Sequence, residues 1–105
     1  MIEAAIGRDP SGQVTSFEVT HHGDSHVCAA VSMLVINTVN SIEAFTQADF
    51  TCDCNEEEGG YLSFTLNTPR GEPIGGQAGL LLDAMVLGLE SAAAQHPNEL
   101  IMKAK

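Results

Sequence analysis

The sequence predicts an α+β domain: a two-layer arrangement with a mostly antiparallel sheet and two helices packed on one face, in the order β-β-α-β-β-α. Three observations carry this. Four short segments alternate apolar and polar residues with period two, the mark of strands half-buried in a sheet. Two longer segments repeat their apolar residues near helical spacing. Turn-forming residues separate the strands in pairs, so each pair reads as a hairpin. Hairpins give antiparallel neighbours, and a helix following each can lie back on the same sheet face.

"MIEAAIG" places Ile2, Ala4 and Ile6 on one face of a first strand. "RDPSG" follows as a turn, punctuated by Pro10 and Gly12. "QVTSFEVTH" is a second strand, with Phe17 and Val19 on one face. Val14 is out of phase with them, which calls for a bulge near Thr15 or Ser16. "HGDS" breaks the strand, and Asp24 or Ser25 can cap the helix that follows. From Cys28 to about Phe45, the apolar positions Val31, Leu34, Val35, Ile42 and Phe45 give a first helix. Its β-branched residues lower its intrinsic propensity, so it depends on burial.

"DFTCDCN" is a third strand, with Phe50, Cys52 and Cys54 on one face and the two cysteines read as small apolar residues. "EEEGG" is a solvated turn. "YLSFTLN" is a fourth strand, with Leu62, Phe64 and Leu66 aligned, and "TPRGEP" is a loop. "IGGQAGLLLDAMVLGLESAAAQHP" is the second helix, striped by Ala78, Leu81, Leu82, Met85, Leu89 and Ala92. Gly79 and Gly88 each cost about 1 kcal/mol in its interior, tolerable where another element packs close. Pro97 ends it, and "ELIMKAK" adds a short edge strand.

A chain of 105 residues with 44% hydrophobic content supports one domain, residues 1–105, around one modest core. No unbroken apolar run reaches membrane-spanning length, and "MIEAAIGRDP" lacks the build of a signal peptide. The expectation is a soluble, cytoplasmic protein. Four Lys and Arg stand against fourteen Asp and Glu, a formal net charge of -10. That balance repels nucleic-acid phosphates and steers in a basic protein or peptide, though solubility alone also accounts for it. Three cysteines cannot all pair within one chain, and a bridge between neighbours Cys52 and Cys54 would strain a strand. Free thiols are expected.

"THHGDSHVCAAVSML" concentrates His21, His22, His26 and Cys28, and three readings compete for it. As a metal site, these residues with Cys52 and Cys54 are capable ligands. Their spacing fits no zinc template, and adjacent His21 and His22 point opposite ways on a strand. As packing, "VCAAV" is an ordinary buried helix start. As catalysis, Cys28 falls in the first turn of a helix, and His22 sits at the end of the strand before it. Free N–H groups at a helix start and a nearby imidazolium both favour a thiolate. Those N–H groups can also hold an oxyanion, and small Ala29 and Ala30 leave room for a substrate backbone. His26 lies two residues from Cys28, off its helix face. His96, before Pro97, reads as a helix-end residue.

"FEVTHHGDSHVCAAVSML" resembles the signature of the ribosomal-processing cysteine proteases, the Prp family of bacteria: a strand-borne histidine, a loop, then "VCAAVS" opening a helix. The resemblance implies His22 as catalytic histidine, Cys28 as nucleophile and Ser32 as the signature serine one turn on. It departs from the pattern at His21, Gly23, Ser25 and His26, and the stretch between His22 and Cys28 is shorter than usual. Asp24 or Ser25 is then the candidate to orient His22, with Ser32 bonding locally or touching substrate. The resemblance further implies cleavage of a short N-terminal extension from a large-subunit ribosomal protein, conventionally numbered twenty-seven. It implies a homodimer, and neither a cofactor nor a metal. The rival from another class is a non-catalytic acidic module that binds a basic ribosomal or assembly protein.

Overall fold

The first hairpin sets the register of everything else. In the computed structural model, which describes residues 1–20, 25–55 and 61–105 (the backbone alone at Ser25), β1 (Ile2–Arg8) pairs antiparallel with β2 (Val14–Thr20). Asp9 builds the connecting turn. Its Oδ1 accepts from the Ser11 N–H at 3.0 Å, the Ser11 hydroxyl at 2.6 Å and the Gln13 N–H at 3.0 Å. Gly12 sits at φ 87°, the left-handed region that glycine enters without strain. Gly7 faces Ser16 and Arg8 faces Val14, so Thr15 is skipped. That is the expected bulge, and it brings Val14 back to the inner face, 1% exposed.

β3 (Phe50–Asn55) and β4 (Tyr61–Leu66) form the second hairpin, and β4 adds to β2. The C-terminal β5 (Leu100–Ala104) lies parallel to β1, giving the strand order β3-β4-β2-β1-β5. Every other pairing is antiparallel, so the sheet is mostly antiparallel as expected. The inner face carries Ile2, Ala4, Phe17, Val19, Leu62 and Phe64, all buried. Phe17 and Phe64 face each other in register and stack at 5.2 Å, and Phe50 stacks on Phe64 at 5.1 Å. Such contacts add about 1 kcal/mol each beyond the area they bury.

Helices α1 (Ser25–Phe45) and α2 (Pro73–Gln95) close this face. α1 begins three residues before its apolar periodicity and buries Val27, Val31, Val35, Val39 and Ile42. Thr38 is buried on the same face because its hydroxyl donates to the Leu34 carbonyl at 2.8 Å. Phe45, expected in the stripe, is 79% exposed: it is the last helical residue, one turn past Ile42, where the core ends. α2 starts with Pro73, whose missing N–H costs nothing in a first turn. It buries Ala78, Leu82, Met85 and Leu89 and stops at His96.

Its glycines are explained by close approaches. A β-carbon at Gly88 would meet Leu34 Cδ2 at 2.8 Å, so α1 packs directly on it. One at Gly79 would meet Arg70 Nε at 2.0 Å. The Arg70 side chain, 8% exposed, lies across that glycine. Its Nη1 donates to the Val14 carbonyl at 2.9 Å, and its Nη2 pairs with Asp83 at 3.2 Å. "TPRGEP" read only as a loop, yet its arginine ties α2 to β2.

Both helices are long and apolar enough to cross a bilayer by length and composition, over His26–Phe45 and Pro73–Gln95. Neither is an unbroken apolar run, since polar residues such as Ser32, Asn37, Asn40, Gln77 and Asp83 interrupt them. Their apolar stripes nevertheless pack on the sheet in one continuous core, as core helices do.

Candidate active site

Cys28 is the fourth residue of α1, in its first turn. The helix starts there because an apolar stripe begins at Val27, which the sheet buries to 5% exposure. Cys28 is half-buried and packs against that core, while Ala29 and Ala30 beside it are exposed. The first turn contains no acidic residue, and residues 25–42 include no Asp, Glu, Lys or Arg at all. The partial positive charge of the helix start is therefore not cancelled from within the turn. The first N–H groups of a helix have no acceptor within it and point toward its N-terminal end. They can stabilise a sulfur anion or a carbonyl oxygen gaining charge.

The described part of β2 ends at Thr20, which pairs with Glu3 and Tyr61. His22 and Asp24, the proposed base and its orienting partner, lie outside the described residues, as do His21 and the side chain of Ser25. In sequence, four residues separate Thr20 from Ser25, which lies three before Cys28. His26 is exposed on α1, two residues from Cys28 and off its face. Ser32, four residues after Cys28, is half-buried on the same face. It lines a shallow open depression along α1 with Ala29, Met33, Ile36, Asn37 and Asn40. His96 caps the end of α2 and faces Glu99 at 3.4 Å, a helix-end residue as expected.

Cys52 and Cys54 overturn their expectation. Both are free thiols and both are exposed, because β3 is an edge strand that the helices leave uncovered. Partial burial first, then the charges of Cys54 and Asp53, push the Cys52 thiol above its ordinary range. Among the described residues no three His, Cys, Asp or Glu side chains converge to hold a metal ion. Tyr61 donates a short hydrogen bond to the Glu18 carboxylate, which holds its phenol above the ordinary range. Glu18 and Tyr61 alternate with core residues Phe17, Val19 and Leu62, so the pair lies on the sheet face away from the helices.

A family model described as cysteine protease Prp matches residues 1–101. The ribosomal processing cysteine protease Prp of Bacillus subtilis is 29% identical over 106 residues, covering 95% of this chain and 94% of that protein. Among solved structures, SMU.848 of Streptococcus mutans superposes with a TM-score of 0.84 at 29% identity, over 99% of this chain and 96% of its own. The essential ribosomal processing protease Prp of S. aureus, with a covalently linked product peptide, superposes with a TM-score of 0.87 at 21% identity over the whole of both chains. The same strands and helices thus recur throughout, and the family match runs from the first strand into the last. The chain belongs to the cysteine protease Prp family.

Proposed function

We propose that this cysteine protease removes a short N-terminal extension from large-subunit ribosomal protein twenty-seven, with Cys28 as nucleophile and His22 as general base. The observation that carries this is the half-buried thiol in the first turn of α1. The printed activity of the B. subtilis relative and the product peptide covalently linked to the S. aureus protease support it.

His22 takes the Cys28 proton, and Sγ attacks the scissile carbonyl. N–H groups of the first α1 turn bind the oxyanion, each worth about 3 kcal/mol in the transition state. The C–N bond breaks as His22 returns the proton to the leaving amine, leaving a thioester on Cys28. Water, deprotonated by His22, then attacks the thioester and frees the acid and the thiol. Asp24 or Ser25 orients His22. Ser32, on the Cys28 face, contacts the substrate backbone or bonds locally. The net charge of -10 draws in a basic segment. The protein works as a homodimer in the cytoplasm, where its three cysteines stay reduced.

The test is cleavage of a peptide spanning the extension and mature start of that ribosomal protein. Wild type should cut it once. Cys28→Ala and His22→Ala should each lose more than about 10^3-fold in kcat/KM with unchanged circular dichroism. Full cleavage by either variant removes the dyad. Binding without turnover by wild type would instead support the non-catalytic acidic module.

A further inference from the structure

Cys52 and Cys54 are exposed where cysteine is ordinarily buried. In register they face Phe64 and Leu62 on β4. Directly opposed residues of an antiparallel pair share a face, so both thiols stand on the helix-bearing side of the sheet. There they lie beyond the helices' cover, and every residue of β3 from Thr51 to Asn55 is exposed. Asp53, between them, points to the other face.

Along a strand, side chains two residues apart start about 6.6 Å from each other. A disulfide needs β-carbons within about 4.5 Å, so these two cannot oxidise to one another while β3 stays paired. One bridging atom removes that obstacle. With metal–sulfur bonds of about 2.3 Å, it joins sulfurs up to about 4.6 Å apart, reached when the two side chains lean together. We propose that Cys52 and Cys54 form a two-thiol clamp for soft, thiophilic Lewis acids, trivalent arsenic above all. Thiolates select soft acceptors, and two donors on one rigid strand suit an acceptor content with two sulfurs. The bridge also replaces two acidic protons where partial burial first, then the charges of Cys54 and Asp53, disfavour a free thiolate at Cys52.

With phenylarsine oxide the step balances without redox change. Two S–H bonds and the As=O bond are lost, two As–S bonds form, and one water leaves with arsenic still trivalent. The second As–S bond forms within the molecule, so a chelate outlasts a single thiol adduct by about 10^2-fold or more.

The experiment treats the reduced full chain with one equivalent of phenylarsine oxide, then excess 2-mercaptoethanol, and weighs the intact protein. One arsenic adduct per chain should survive in wild type and in Cys28→Ala, and 2,3-dimercaptopropanol should strip it. Cys52→Ser and Cys54→Ser should each lose the surviving adduct while keeping the wild-type circular dichroism. An adduct stripped from wild type by the monothiol, kept by either serine variant, or lost in Cys28→Ala overturns the clamp.

Discussion

Replacing Gly75 by alanine adds one methyl group at the start of α2, and the next residue provides its control. A β-carbon at Gly75 would lie 1.8 Å from the Pro69 carbonyl oxygen, 2.6 Å from its carbon and 3.1 Å from the Thr68 oxygen. These are backbone atoms, so no rotamer change relieves the overlap. The loop must move off the helix, straining the hydrogen bond from the Glu72 N–H to the Pro69 carbonyl. Overpacking of this kind costs about 1–3 kcal/mol, and the hydrogen bond about 1 kcal/mol. Alanine returns about 1 kcal/mol of helix propensity. The clash wins, with a net loss of about 2 kcal/mol, which in a domain near this size lowers Tm by about 8–16 °C. At Gly76 the same β-carbon meets nothing nearer than the Arg70 oxygen at 3.8 Å. Gly76→Ala should therefore hold or raise Tm, through at most about 1 kcal/mol of propensity. Thermal melts followed by circular dichroism decide it. If Gly75→Ala is as stable as wild type, or Gly76→Ala is the less stable of the two, the reasoning from close approach is wrong.

Arg70→Ala should destabilise by about 2–3 kcal/mol in urea melts, since it strands the Val14 carbonyl and empties the space over Gly79. Asp83→Asn should cost less than about 1 kcal/mol, because the carboxylate is half-exposed and screened. Asp9 gives a pH dependence. The Ser11 hydroxyl, then the Gln13 N–H, hold its carboxyl below 3.8. A depressed carboxyl contributes stability above its unfolded pKa and loses it as pH falls through the folded one. Asp9→Asn should therefore flatten the acid limb of a stability curve below about pH 4, whereas an unchanged limb would remove the turn's role.

Local chemistry made much of this fold legible. Alternation placed Ile2, Ala4, Ile6, Leu62 and Phe64 on the inner face, and the phase slip at Val14 marked the Thr15 bulge. Gly88 advertised the contact that Leu34 makes. What failed was non-local. Alternation put Cys52 and Cys54 on one face but carried no information on whether that face is covered, which depends on β3 being an edge. Phe45 kept helical spacing, yet as the last residue of α1 it stands exposed. Arg70 sat in a stretch of turn residues with no periodicity to flag it, so its reach to Val14 and Asp83 had no sequence signal. Of the site, a helix with Cys28 near its start was legible from the stripe that runs through Val31 and Val35, although α1 begins three residues earlier, at Ser25. The partnership with His22 was one of three readings that the residues left open, and the resemblance singled it out.

The proposed dyad requires that the helix start and His22, rather than exposure, decide which thiol acts. Limiting iodoacetamide at neutral pH, read by peptide mapping, tests it directly. Cys52 and Cys54 are exposed and Cys28 is half-buried, so accessibility alone would label the β3 pair first. With the dyad acting, Cys28 should be alkylated ahead of both, and His22→Ala should abolish its lead. Labelling that follows exposure, with Cys28 last and indifferent to His22, would contradict it.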